Sequence, residues 1–188
     1  MATSAGLESS EVESYSPPVA PRQPLPDQEL LDYSAEHVAY EVQMLRGTKA
    51  LLAAIATGAL DVSLVMKNAL IESWMVHLRD LVEFLYPAVP KQGDVIATDF
   101  FDSRAEWERI RPSQSESLKK ARKRANKELA HLTTGRKGPG DREKGWAFHD
   151  LTSELVDVLR TFGEKASEAK LHQKVRDALA ISPALTSQ

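Results

Sequence analysis

The sequence predicts an all-α protein, an up-and-down bundle of four to five helices behind a disordered N-terminal arm. Apolar residues recur at three- and four-residue spacing through most of the chain from Ser34 onward, the period of an amphipathic helix. These stretches are set off by Gly58, Pro87, Pro112 and the cluster Gly135, Gly138, Pro139 and Gly140. No segment gives a convincing strand.

Residues 1–33 hold Pro17, Pro18, Pro21, Pro24 and Pro26 among Ser, Glu and Gln, too little apolar surface to offset chain entropy. They read as a flexible tail, and a docking segment for a protein partner is the lesser alternative because the prolines form no regular ladder. The bundle is expected over 34–180, followed by a flexible C-terminus at 181–188.

Ser34 reads as the cap of a first helix carrying Val38, Val42, Leu45, Leu52 and Ala56. Asp61 reads as the cap of a second, whose stripe of Leu64, Ile71, Trp74, Met75, Leu78, Leu81, Val82 and Leu85 runs until Pro87. The short connection makes this pair antiparallel. From Ala88 to Arg111 the period breaks, so the stretch is either draped over the bundle or holds a short helix, with Phe100, Phe101 and Trp107 plugging the core. Pro112 suits the start of a third helix through Leu118, Ala121, Ala125, Leu129 and Leu132. A fourth begins near Trp146 and ends at Gly163, and a weaker fifth carries Leu171, Val175 and Leu179.

Of the 188 residues, 42% are hydrophobic and 27% charged, near globular averages, which fits one soluble domain. The formal charge of -3 gives the whole molecule no pull toward polyanions, so any such affinity must come from a local patch. The absence of cysteine excludes disulfides and thiolate chemistry. Without a secretory signal or a membrane-length apolar run, the expected location is the cytoplasm and no membrane partner is expected.

There is no Gly-rich phosphate loop, because the glycines from Gly135 onward follow a helix and lack the Gly-Lys-Ser/Thr ending. The five histidines do not pair at metal-binding spacing, so neither metal nor cofactor is expected. One constellation carries chemistry. The third helix concentrates Lys119, Lys120, Lys123 and Lys127 with Arg124, Asn126 and, near its end, His131. Arg124 and His131 lie seven residues apart, about 20° around the axis and roughly 10 Å along it, so both project from one face. An RNA phosphodiester across that face would meet Arg124 as counter-charge and His131 as proton donor or acceptor, with the four lysines holding the backbone. Glu128 between them also makes an ordinary helical ion-pair ladder of the same residues. On the second helix, Glu72, Arg79 and Glu83 share a face; Arg79 joins the site if the second and third helices pack together.

The run Arg122 to Thr133 resembles the signature of the HEPN superfamily, an arginine and a histidine separated by four to six residues; Arg124 and His131 have six between them. The resemblance implies a four-to-five-helix bundle, a homodimer that brings the two motifs together, and metal-independent RNA cleavage by Arg124 and His131. It implies equally a non-catalytic binding partner, since some members are inactive. Ala125 favours that alternative, a helical protein-interaction module, because active members usually carry a polar residue after the arginine.

Overall fold

The computed structural model describes residues 22–130 and 145–180, apart from the side chains of Leu129 and Ala130. Among these residues every regular element is a helix, so the all-α bundle expected from the sequence is the observed architecture.

Helical structure begins before the boundary expected at residue 33. Helix α1 (Asp27–Tyr33) starts directly after Pro26, the last of the five prolines, with Asp27 and Glu29 in the first turn where negative charge suits the helix dipole. Leu30, 1% exposed, pins it to the core. Leu25 and Tyr33 pack against the core beside it, apolar anchors that the proline-rich composition masks. A π-helical turn, Ser34–Val38, then carries the chain into α2 (Ala39–Ala56) with no departure from right-handed helical backbone. Ser34 is therefore an internal residue and not a cap. Its hydroxyl donates to the Leu31 carbonyl at 2.8 Å and accepts the His172 N–H at 2.9 Å, tying the π turn to the far end of the chain.

Gly58, at φ +75, makes the left-handed turn after α2. Helix α3 (Leu64–Leu85) follows, capped by Ser63, which accepts the Met66 N–H at 3.2 Å, and not by Asp61. Glu41 near the start of α2 meets His77 in the second half of α3, so the two helices run antiparallel as expected.

The irregular stretch resolves into a loop, a 3₁₀ turn (Ala97–Phe100) and a short helix α4 (Arg104–Ile110). Asp99 organises it. Its carboxylate accepts the Ile96 N–H at 3.0 Å and pairs with Arg22, which also donates to the Asp94 carbonyl at 2.8 Å. Helix α5 (Glu116–Ala130) starts four residues beyond Pro112, because Ser115 supplies the cap by accepting the Leu118 N–H at 3.0 Å. Pro112 lies in the lead-in, its carbonyl held by the Tyr86 hydroxyl.

Helix α6 (Phe148–Lys165) runs through Gly163, which terminates nothing. A Cβ there would come within 3.1 Å of the Leu179 side chain, so the glycine admits close packing of α7 (Gln173–Ala180). Arg176 of α7 donates to the carbonyls of Gly163 and Ala166, which the end of α6 leaves open, and to that of Leu171 in the connection to α7.

The core is aromatic at its centre. Phe162 is fully buried and meets Phe84, Phe100, Phe101 and Trp107 with ring centroids 5.2 to 6.0 Å apart, mostly edge to face. Phe100, Phe101 and Trp107 thus plug the bundle, as their placement in the irregular stretch suggested. Among the described residues no helix is long and apolar enough to cross a membrane.

Candidate nucleic-acid interface

The face that α5 buries is narrow: Leu118, Ala121 and Ala125, at i, i+3 and i+7, pack into the core. Ala125 is 0% exposed, so a small residue after Arg124 is required by packing against the bundle. On the other side Lys119, Lys120, Lys123 and Lys127 are all exposed. At about 100° per residue they fall within an arc of about 100° centred opposite the buried stripe. Between Glu116 and Ala130 there are six cationic residues (Lys119, Lys120, Arg122, Lys123, Arg124 and Lys127) and two acidic ones (Glu116 and Glu128), so a molecule of net charge -3 carries a segment of local charge 6 - 2 = +4. That is the local patch which polyanion binding requires.

Arg124 sits at the edge of this arc, and several contacts hold it. Its Nε donates to Glu128 Oε1 at 2.6 Å, its Nη1 to the Gly145 carbonyl at 2.9 Å, and its guanidinium lies 4.0 Å from the centre of the Trp146 ring. Trp146 in turn packs edge-on against Trp74, whose buried indole N–H donates to Thr152 Oγ1 at 3.0 Å. The cation is thus fixed to α5, to the residues entering α6 and, through two tryptophans, to α3. The helical ladder expected between Arg124 and Glu128 is present. Sequence spacing gave no sign of Trp146, 22 residues along the chain; the one available hint was an aromatic beside Gly145 at the start of the next apolar stripe. His131 lies outside the described residues.

Helices α3 and α5 do pack together, but the cleft that Arg79 lines does not include Arg124. Arg79 and Asn126 line a separate cleft of ≈ 860 Å³, bounded by α1, the π turn, α3 and the loop after it. Asn126 is two residues beyond Arg124 and so lies about 160° away around α5. The cleft carries Glu41, Asp80, Glu83 and Asp94 against Arg79 and Lys91, a lining that repels phosphate. Arg79 pairs with Asp80 at 2.7 Å, Glu83 lies 3.5 Å from Arg122, and His77 shares a 2.7 Å hydrogen bond with Glu41. Arg79 and Glu83 of that polar group are therefore each held in an ion pair, and His77 beside them in a hydrogen bond.

The same cleft sets an alkaline limit on the fold. Burial, and then the carboxylates of Glu41, Asp80 and Asp94, raise the Tyr33 hydroxyl above the ordinary tyrosine value of 10.0. Burial likewise raises Tyr86, with Glu154 adding to it and Arg111 opposing it. A pKa raised in the folded state favours folding below the unfolded value and is lost as pH climbs through the folded one. Stability is thus expected to fall as pH rises above 10, and urea titrations of Tyr33→Phe between pH 9 and 11 should show a shallower fall than wild type. An equal fall would remove Tyr33 from the account.

The site defines no more than its class, an all-α bundle with a cationic helix face. No family model, curated protein or solved structure matches the chain. Among the described residues no group of three or more His, Asp or Glu side chains is arranged to hold a metal ion.

Proposed function

We propose that this chain is a HEPN-like bundle that binds RNA along α5, with Arg124 and His131 as the pair that cleaves it without a metal. The observation that carries the reading is the exposure of Lys119, Lys120, Lys123 and Lys127 on one arc of a helix whose opposite stripe is core. Lysines there hold phosphates by charge and carry no base information, so the expected ligand is RNA with little sequence preference at this surface. Arg124, held against Trp146 and Gly145, presents a guanidinium that needs little reorganisation to meet a phosphate at the edge of the arc. In the cleavage step the ribose 2′-oxygen attacks phosphorus and the P–O5′ bond breaks, leaving a 2′,3′-cyclic phosphate and a 5′-hydroxyl; His131 takes the 2′-hydroxyl proton or delivers one to the leaving 5′-oxygen, water exchanging the other, while Arg124 offsets charge on the phosphorus oxygens. The resemblance adds a homodimer to this reading, and sedimentation of the purified chain measures it.

A second reading, a non-catalytic helical interaction module, is favoured by the same contacts of Arg124: its hydrogen bonds and ring contact already serve the junction of α5 and α6. The two are separated by incubating single-stranded RNA with wild type, His131→Ala and Arg124→Ala in EDTA. The enzyme reading expects cleavage by wild type and its loss in both variants, with His131→Ala retaining RNA. RNA retained but not cleaved by wild type leaves a non-catalytic RNA-binding bundle; no retention of RNA by wild type leaves the protein-interaction module.

A further inference from the structure

We propose that the hollow where α5 begins is a phosphate-binding site that takes a phosphomonoester dianion, at the end of an RNA strand or as free phosphate. Two adjoining cavities of ≈ 500 and ≈ 380 Å³ share Ala88, Gln114, Lys119 and Arg122. Arg111 lines the first and Lys123 the second, so four cations surround the joint space against two carboxylates, Glu83 and Glu108. Glu108 is engaged by Arg104 at 2.6 Å, and Lys119 by Glu116 at 2.7 Å, so the unshared positive charge comes chiefly from Arg111, Arg122 and Lys123. The balance is the reverse of the acidic cleft on the other side of Glu83.

The arginines are aimed by the end of α3. Arg111 Nη1 donates to the Leu85 carbonyl at 2.6 Å and its guanidinium lies 4.6 Å from the Tyr86 ring centre. Arg122 reaches the Tyr86 carbonyl at 3.3 Å and Glu83 at 3.5 Å, both through Nη1. Each guanidinium has five N–H donors, and these contacts occupy few of them. The frame is rigid, since the Tyr86 hydroxyl is itself bonded to the Pro112 carbonyl at 2.8 Å. Both arginines therefore spend one end on α3 carbonyls and keep donor capacity for an acceptor in the hollow.

A second observation, independent of charge, points to that acceptor. Gln114 Nε2 is buried and has no hydrogen-bond partner, and Gln114 lines both cavities. Buried amide donors are nearly always satisfied, and leaving one orphaned is costly. The other unpartnered buried donor among the described residues, Trp107 Nε1, belongs to the aromatic core and lines neither hollow. An oxygen-rich dianion would accept from Gln114 and from the guanidinium groups together, with the amide end of α5 adding to the positive field.

As a terminus of RNA the ligand rests on the proposed RNA reading; as free phosphate it does not. The full chain is titrated with inorganic phosphate while the side-chain amide of Gln114 is followed by ¹⁵N NMR. Saturable binding that shifts this amide and the backbone amides of Lys119 and Arg122 is expected; followed on the backbone amides of residues 119 and 122, it is weakened tenfold or more in Arg122→Gln and in Gln114→Leu. The second variant keeps the test valid if the first loses its fold. Phosphate that fails to saturate, or leaves the Gln114 amide unmoved, overturns the site. A single-stranded RNA with a 5′-phosphate or a 5′-hydroxyl then identifies the source. A tenfold preference for the phosphorylated end, erased in Gln114→Leu, assigns the RNA terminus. Equal affinity with phosphate still bound assigns free phosphate. RNA that binds without regard to its end while phosphate leaves Gln114 unmoved sinks the site and spares the RNA reading; bound phosphate without any RNA binding does the opposite.

Discussion

Replacing Phe162 by alanine is expected to destabilise the bundle by about 3–5 kcal/mol, the range for emptying a fully buried aromatic position. The ring is 0% exposed and contacts four other aromatic rings drawn from α3, the 3₁₀ turn, the residue after it and α4. Its removal leaves a void bordered by flat, stiff side chains on several elements at once, which collapse poorly into the space. Against a total stability of about 5–15 kcal/mol, that is a large share. In urea the midpoint should fall by roughly 2 M at an ordinary denaturant slope. Two comparisons test the cause. Phe162→Leu, which keeps most of the volume, should lose less than about half as much. Val89→Ala, at a residue 83% exposed, should move the midpoint hardly at all. Equal losses at the two Phe162 variants would mean that volume is not what the ring contributes.

That prediction draws on a part of the molecule that sequence reading partly reached. The helical period gave α2, α3, α5, α6 and α7, because a stripe of Leu, Val, Phe or Trp one turn apart is enough to name a buried face. The convergence of Phe84, Phe100, Phe101, Trp107 and Phe162 was not legible, because it joins residues of several elements whose packing no local pattern encodes. Helix boundaries failed where side-chain caps compete. Ser63 took the role assigned to Asp61, Ser115 displaced the start from Pro112, and Ser34 turned inward as part of a π turn. Arg22 shows the limit most plainly: its partner Asp99 lies 77 residues away, inside a stretch with no period. At the candidate site, the lysines of α5 were legible because they share one helix. The contacts that distinguish Arg124 and Arg122 were not, since Trp146, Gly145 and Tyr86 come from other parts of the chain. Arg79 was grouped with the motif by adjacency of helices and Asn126 by its place on the same helix; Arg79 lines a cleft that Arg124 does not, and the angular position of Asn126 on α5 turns it toward that cleft.

If the lysine arc of α5 holds RNA, changing Lys119, Lys120, Lys123 and Lys127 together to glutamine should remove most of the affinity and nearly all of its salt dependence. Four phosphate contacts to a single strand give a slope of about -3 in log K against log salt, from about -0.7 per contact. Between 1 M and 50 mM salt the counterion term then amounts to about 3.6 decades, so the variant should bind on the order of a thousandfold more weakly at 50 mM. The fold should survive, because all four side chains are exposed and the one ion pair lost, Lys119 with Glu116 at 2.7 Å, joins two exposed residues and adds little. Total charge must be separated from position. A control variant that changes Lys67, Lys91, Lys165 and Lys174, also exposed, removes the same four charges from other surfaces. It should keep the wild-type slope and lose little affinity, apart from a long-range term screened beyond about 10 Å at 0.1 M salt. If both variants lose affinity alike, net charge and not the α5 arc governs binding. If neither does, the lysine arc of α5 is not the surface that holds RNA.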